Sequence, residues 1–206
     1  MRLNVNKSVC MRFCSKVDTF CANIVSLDGT ALQWVSECRY LGVYFTSGRP
    51  RCFRCCYSRA KSSFFSAFNA IFSKVGRFAS QEVVLNLIRA KCLPCLLYGL
   101  EACPLFKRDK QSFDFTLTRV FMKLFSTGSP VTVNQCQVYF DFLPLRYQND
   151  IRTVKFLTRY INSPNAICCN FAGHAHSDLT VLLSSYGESV DSLYDMRAVI
   201  DSQYFV

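Results

Sequence analysis

The sequence lacks any pair of adjacent aspartates, and it has only two histidines among its 206 residues. Transfer of a nucleotide to a growing chain needs carboxylates gathered around two metal ions, and no such pair is present. The two histidines, His174 and His176, lie too close in the sequence to serve as a separately oriented base and its partner. The sequence therefore argues against a Ser-His-Asp or Cys-His catalytic centre.

Long apolar segments are also lacking. The longest run, from Cys92 to Leu100, ends at Glu101 and is shorter than the roughly 20 residues that span a bilayer. Polar residues at the start, including Arg2 and Lys7, leave no room for the apolar segment of a signal peptide. We therefore expect an intracellular protein, in the nucleus or the cytoplasm, with no membrane partner.

Basic charge is abundant and unevenly distributed. The net charge is +10; residues 1–127 carry 19 Lys and Arg against 7 Asp and Glu, whereas residues 128–206 carry 5 against 7. A one-sided basic field attracts polyanions, and nucleic acid first. A run without acidic residues holds seven cations that we predict to contact nucleic acid, the alternative being an ordinary solvated surface. These seven are Arg49, Arg51, Arg54, Arg59, Lys61, Lys74 and Arg77.

The first 48 residues have the pattern of a small antiparallel sheet. Residues 9–13 alternate between apolar and polar, Asp28-Gly29 is a hairpin turn signal, and Tyr40 to Phe45 is a further strand-like run closed by Ser47-Gly48. Strands are therefore predicted at residues 9–13, at Ile24 to Leu27 and Leu32 to Val35 on either side of the turn, and at Tyr40 to Phe45.

Helical periodicity takes over after Gly48. Three apolar stripes predict three packed helices. Their inward-facing residues are Phe64, Phe68, Ile71, Phe72 and Val75 in the first, Val83, Val84, Leu87 and Ile88 in the second, and Phe113, Leu117, Val120, Phe121 and Leu124 in the third. The first ends at Gly76, the second begins at the N-cap Ser80 and is kinked or ended by Pro94, and the third ends before Gly128. Residues 129–206 carry weaker helical patterns. The predicted class is α+β, with domains at residues 1–48, 49–128 and 129–206.

Two short motifs lie near the start, Leu3-Asn4-Val5-Asn6-Lys7-Ser8 and, about thirty residues on, Arg39-Tyr40-Leu41-Gly42-Val43. Together they resemble the end of the palm of a reverse transcriptase from non-LTR (LINE-type) retrotransposons. Leu3 to Ser8 resembles the family segment Leu-x-Val-Asn-x-x-Lys-Ser/Thr, except that Lys7 directly follows Asn6. The resemblance implies that Lys7 acts as a general acid toward the leaving pyrophosphate. Arg39-Tyr40-Leu41-Gly42 is similar to the family's primer-grip hairpin, in which Tyr40 would brace the primer end.

A third and longer match resembles the family's thumb. Asn69 and then Cys92 to Glu101 are similar to this region, which in the family reads Pro-x-Leu-x-Tyr-Gly-x-Glu after an amphipathic helix, and Arg119 to Leu124 resembles the helix that follows it. The resemblance implies that residues 1–48 are a palm remnant, that residues 49–128 are a helical thumb, and that the basic run faces an RNA–DNA or DNA duplex. Residues 129–206 match no family element, so their role stays open.

The chain departs from the family in its catalytic loop. The Tyr/Phe-Ala-Asp-Asp segment is absent, as is the earlier palm aspartate. We therefore expect no polymerase activity from this polypeptide alone and no cofactor in it, although Mg²⁺ would serve the intact parent enzyme. The missing N-terminal polymerase portion is then an expected partner.

The thirteen cysteines leave several interpretations open. They are most simply free thiols that pack as small apolar residues. Zinc could be bound by Cys52, Cys55 and Cys56 together with Cys92 and Cys95. Cys92 and Cys95 alone could form a redox dithiol. A loop holding Cys168, Cys169, His174 and His176 could form a metal knuckle.

Three functions remain open at this point. The first is a reverse transcriptase fragment that grips the primer–template duplex. The second is a non-catalytic nucleic-acid-binding protein, domesticated or vestigial. The third is the product of a decayed reading frame, which would expose apolar strand edges and aggregate.

Overall fold

The computed structural model describes residues 4–13, 21–47, 53–76 and 78–205. Predicted site residues Arg49, Arg51 and Arg77, together with Gly48 and Cys52, lie outside these ranges. The chain forms two compact units, residues 1–59 and residues 60–206. Small β-sheets belong to the first unit and most of the helices to the second, which confirms the predicted α+β class.

The first unit begins with a single 3₁₀ turn, Val5–Lys7. Two short strands then pair in parallel, and three longer ones form an antiparallel sheet in the order β3-β4-β5. Their bounds are β1 Val9–Cys10, β2 Gln33–Trp34, β3 Glu37–Tyr40, β4 Val43–Ser47 and β5 Phe53–Cys56. The predicted Asp28-Gly29 turn is confirmed, because the Gly29 amide donates to the Ser26 carbonyl at 2.9 Å.

Two features of the predicted sheet need correction. The β1–β2 pair is parallel, whereas the sequence predicted an antiparallel sheet. The expected strand from Tyr40 to Phe45 is in fact a hairpin, since the chain reverses at Leu41-Gly42. The third strand of the antiparallel sheet, β5, begins after Gly48, so the sheet extends past the predicted end of the first domain.

The helices begin and end at recognisable sequence signals. α1 ends before Gly76, and Ser80 caps α2 by accepting a bond from the Val83 amide at 3.4 Å, both as predicted. Ser129 and Ser192 cap α5 and α8 in the same way. The helices are α1 Ser58–Val75, α2 Gln81–Leu87, α3 Leu93–Leu97, α4 Lys107–Leu124, α5 Pro130–Tyr139, α6 Leu145–Ile161, α7 Ala166–Ser184 and α8 Leu193–Tyr204.

The proline in the second predicted helix is accommodated by a change of helix type. A π-helical turn, Ile88–Cys92, joins α2 to α3, and Pro94 occupies the first turn of α3. Proline has no amide hydrogen and clashes with the carbonyl four residues before it, and the first turn of a helix tolerates both. The chain therefore stays helical through Leu97 instead of stopping at Pro94.

The core of the second unit is rich in phenylalanine. Phe64 and Phe68 of α1 and Phe121 of α4 are fully buried, and the Phe121 ring meets Phe142 edge to face at 5.1 Å. A second cluster joins α6, α7 and α8 through Val154, Leu183, Val190, Met196 and Ile200. Residues 129–206 therefore contribute to the same compact unit as the predicted thumb helices.

One helical stretch, Gln81–Ala102, is long and apolar enough to cross a membrane by length and composition alone. Its apolar side chains are partly buried within the second unit: Ile88, Leu96 and Leu97 are buried, whereas Val83 and Tyr98 are 49% and 59% exposed. The core helix of a water-soluble protein passes the same test, so this stretch carries little weight.

Candidate nucleic-acid interface

The turn between β3 and β4 gives the predicted primer-grip segment its shape. Tyr40 pairs with Val43, and the two loop residues between them have positive φ angles, 47° at Leu41 and 86° at Gly42. Positive φ at both positions is what a type I′ hairpin turn requires. Glycine adopts it freely, whereas leucine is strained there. The structure therefore places Leu41 at the hairpin tip, 72% exposed, at an energetic cost.

The register of the sheet brings three of the predicted site residues into one region. Arg39 lies opposite Tyr44, and Arg54 lies opposite Thr46 in the next strand, so their side chains share a face. Arg59, at the start of α1, places its guanidinium carbon 4.7 Å from the Tyr44 ring centroid, and that of Arg39 lies 5.6 Å from the same ring. We call Arg39, Tyr44, Arg54 and Arg59 the arginine face.

The electrostatics of the arginine face suit a polyanion. Its three arginines are exposed, while Tyr44 is half-buried beneath two of them. A guanidinium held over an aromatic ring keeps its edge donors directed outward, and these donors match the geometry of phosphate. Because the Tyr44 ring is occupied by arginines, the face is suited to backbone phosphates more than to base stacking.

The opposite side of the hairpin carries the predicted stacking residue. Tyr40 is 64% exposed, and its ring centroid lies 6.5 Å from that of Phe45. Cross-strand alternation puts Tyr40 and Phe45 on the face away from Arg39. Arg39 and Tyr40, predicted to contact nucleic acid, thus lie on two different faces of one hairpin.

The remaining predicted cations occupy other positions. Lys7 is exposed at the end of the 3₁₀ turn that precedes β1, apart in the sequence from the strands of the arginine face. Lys74 is exposed in the last turn of α1. Lys61 is half-buried, with its ammonium hydrogen-bonded to the Ser112 hydroxyl and 4.9 Å from the Phe113 ring centroid. Lys61 therefore also packs α1 against α4.

The residues of the thumb-like motif have visible structural roles. Gly99 has a φ of +71°, which lets the chain turn sharply after α3. Glu101 then forms an ion pair with Arg152 of α6 at 3.0 Å. Asn69 accepts a 2.9 Å hydrogen bond from the Lys123 ammonium, which also lies 5.1 Å from the Phe72 ring centroid. These motif residues therefore join helices within the second unit.

The cysteine and histidine hypotheses have less geometric support. The predicted knuckle loop is wrong, because Cys168, Cys169, His174 and His176 all lie on α7. Nowhere in residues 4–13, 21–47, 53–76 and 78–205 do three His, Cys, Asp or Glu side chains converge as a metal site would require. Within the same residues, none of the eleven cysteines described is in a disulfide bond.

Cys92 is poorly suited to redox chemistry, because burial and then the neighbouring Cys95 raise its pKa to about 11. With this pKa the Cys92 thiol is protonated at neutral pH, and it reacts poorly because only the ionised thiolate is reactive. We expect a maleimide at neutral pH to label the exposed Cys95 and Cys169 while sparing Cys92. Mass spectrometry of peptides measures the extent of labelling at each cysteine in the native protein, and a denatured sample, in which every cysteine is accessible, is the control. Equal labelling of Cys92 and Cys95 in the native protein would contradict it.

Sequence reasoning missed Tyr44, the ring around which the arginines gather. The signal was available, since a two-residue loop at Leu41-Gly42 places Tyr44 directly opposite Arg39. The position of Arg59 over the same ring depends on how the chain passes from β5 into α1, which sequence periodicity does not reveal.

No protein-family model, curated protein or solved structure matches this chain.

Proposed function

We propose that this chain is a fragment of an RNA-directed DNA polymerase from a non-LTR retrotransposon. In this proposal it grips the primer–template duplex and is not catalytically competent alone. The observation that carries the proposal is the arginine face, two of whose members, Arg39 and Tyr44, lie on the hairpin that the sequence resemblance assigns to the primer grip, while Arg54 and Arg59 come from β5 and α1 beside it. The absence of an Asp-Asp pair from the sequence supports the lack of activity.

The chemistry of the arginine face indicates how a duplex would be held. Guanidinium groups bind phosphate oxygens by charge-assisted hydrogen bonds, which position a duplex without reading its sequence. Tyr40, on the other face of the hairpin, would brace the end of the primer strand. Binding should therefore depend on salt and tolerate changes of sequence.

A salt titration tests the proposal. If three arginines each neutralise one phosphate, a fourfold rise in salt should weaken binding of an RNA–DNA duplex about 40-fold. Fluorescence anisotropy of a labelled duplex measures the affinity, and a second duplex of scrambled sequence should give about the same values. Affinity that does not change with salt would refute the phosphate contacts.

The alternative is a non-catalytic nucleic-acid-binding protein, domesticated or vestigial. It is favoured by one observation, namely that all members of the arginine face belong to the first unit of this chain. Binding then needs neither a further polymerase portion nor Mg²⁺. Primer extension distinguishes the two accounts: adding a separately expressed N-terminal polymerase portion should restore synthesis only if the chain is a polymerase fragment.

The pairing of buried polar groups bears on the third hypothesis, that the chain is the product of a decayed reading frame. Asp150, only 8% exposed, accepts a hydrogen bond from the Tyr186 hydroxyl at 2.8 Å and lies 3.4 Å from the Lys110 ammonium. Arg152 donates to Glu101 Oε1 at 3.0 Å across 51 residues of sequence, but both side chains are partly exposed, and Glu101 Oε2 and Arg152 Nε have no partner. Random substitution would break buried pairs such as those of Asp150 early, since an unpaired buried charge is costly. These pairs therefore support a chain that folds.

A further inference from the structure

Strand β3 forms one edge of the antiparallel sheet in the first unit. The strand order is β3-β4-β5, so β3 pairs with β4 on one side. On its other side, no backbone hydrogen bond is formed at Glu37 or Arg39 within the part of the chain that the structure describes. An open strand edge presents amide and carbonyl groups that can pair with a further strand.

The ladder with β4 shows which backbone groups face this open edge. The Ser47 amide donates to the Ser36 carbonyl at 2.8 Å, which makes these two residues a hydrogen-bonded pair. Bonded and non-bonded pairs alternate along an antiparallel ladder, so Cys38 also bonds to β4. The amide and carbonyl groups of Glu37 and Arg39 therefore point away from β4, toward the open edge.

The side chains of the same two residues carry opposite charges. Glu37 and Arg39 are both exposed and, being two residues apart on a strand, lie on the same face of the sheet. Charges of one sign on an edge strand repel a second copy and so protect the edge. Charges of both signs can instead be matched by a second copy. Among the strands that the structure describes, β3 alone carries both an acidic and a basic residue.

We propose that β3 pairs antiparallel with β3 of a second copy of this chain, across a twofold axis at Cys38. Glu37 of each copy then lies directly opposite Arg39 of the other, and the two residues of each such pair exchange both of their backbone hydrogen bonds. The same patch serves both copies, so the contact closes as a dimer. This proposal does not depend on nucleic-acid binding.

Charge selects this register from the three that pair the outward-facing backbone groups. An axis at Glu37 places two glutamates directly opposite each other, and an axis at Arg39 places two arginines directly opposite each other. Like charges in such positions destabilise a strand pair, whereas opposite charges stabilise it. Of the three positions, only the axis at Cys38 pairs opposite charges.

The dimer has two geometric consequences. A twofold axis perpendicular to the sheet keeps its two faces apart, so both arginine faces lie on the same side of one continuous sheet. The two Cys38 side chains meet at the axis on the opposite side, because they alternate with Arg39 along the strand. They form a non-bonded pair, whose Cα atoms are about 4.5 Å apart, and a disulfide can join cysteines at that distance.

Sedimentation velocity of the full chain at increasing concentration, in reducing buffer without nucleic acid, tests the proposal. We expect a reversible equilibrium between monomer and dimer. Glu37→Arg should weaken dimerisation about 30-fold, because the twofold axis turns two attractive pairs into two repulsive ones. Arg39→Glu should weaken it by a similar factor. The double variant restores opposite charges, and its dimerisation should return to within about threefold of that of the unmodified protein.

Two controls accompany these variants. Glu188→Arg reverses an equally exposed carboxylate in the second unit and should leave dimerisation unchanged. Diamide, which takes up the two thiol hydrogens as a disulfide forms, should link the dimer through Cys38 to Cys38. Mass spectrometry of non-reduced peptides identifies that link, and Cys38→Ser should abolish it.

Three results would overturn the proposal. A chain that stays monomeric at all concentrations has no such interface. Dimerisation that is unaffected by the single reversals, or not restored in the double variant, would place the contact elsewhere. Oxidised dimers linked through other cysteines, with no Cys38 link, would exclude the twofold axis at this residue.

Discussion

Replacing Arg39, Arg54 and Arg59 together with glutamine is expected to weaken duplex binding about a thousandfold at low salt. A hydrogen bond to a charged group contributes about 1.5–3 kcal/mol, so each arginine is worth at least about tenfold in affinity. The slope of log affinity against log salt should fall by about 3, one unit for each lost phosphate contact. Anisotropy titrations at several salt concentrations measure both quantities.

The matched control removes the same charge from other exposed positions. Arg108, Arg159 and Arg197 are exposed in the second unit, and their replacement by glutamine also lowers the net charge by three. This variant should keep most of the affinity and most of the salt slope. Equal losses in both triple variants would mean that net charge alone attracts the duplex and that the arginine face has no special role.

The substitution Phe121→Ala is expected to destabilise the second unit by about 3–5 kcal/mol. Its side chain is fully buried, with ring contacts to Phe142 at 5.1 Å and Phe125 at 5.8 Å between centroids. The loss combines transfer of the ring to water with the cavity left behind. Because domains are stable by only about 5–15 kcal/mol, the variant should be near the limit of folding.

Urea denaturation followed by circular dichroism measures this loss. The control is Phe115→Ala on the same helix, since Phe115 is 59% exposed and its removal leaves no internal cavity. We expect that change to stay within about 0.5 kcal/mol. A similar loss for both variants would mean that α4 does not face the core as described.

The helices of the second unit were largely predictable, because their burial follows a simple period. All five residues of the predicted α4 stripe, Phe113, Leu117, Val120, Phe121 and Leu124, are buried. The prediction for α2 was less accurate: Val83 was expected to face inward but is exposed, whereas Leu85 is buried. The buried face of α2 carries Val84, Leu85 and Ile88, so it is rotated from the expected stripe toward Leu85, and apolar residues at 83, 84 and 85 in succession do not distinguish the two faces.

The candidate site was predictable as a set of residues but not as an arrangement. Arg39, Arg54 and Arg59 were identified from charge, and their grouping came from strand register and from the start of α1. The resemblance implied a hairpin at this segment, but the residue pattern predicted a continuous strand, because leucine rarely adopts a positive φ and Tyr40-Leu41-Gly42-Val43 has the composition of a strand.

The single tryptophan gives the two units separate spectroscopic reporters. Trp34 lies half-buried on β2, so its fluorescence responds to the first unit, whereas the far-ultraviolet dichroism of the helices comes mainly from the second. One denaturation series recorded with both signals therefore resolves whether the units unfold together or in sequence. A ligand that shifts only the tryptophan transition acts on the unit that carries the arginine face.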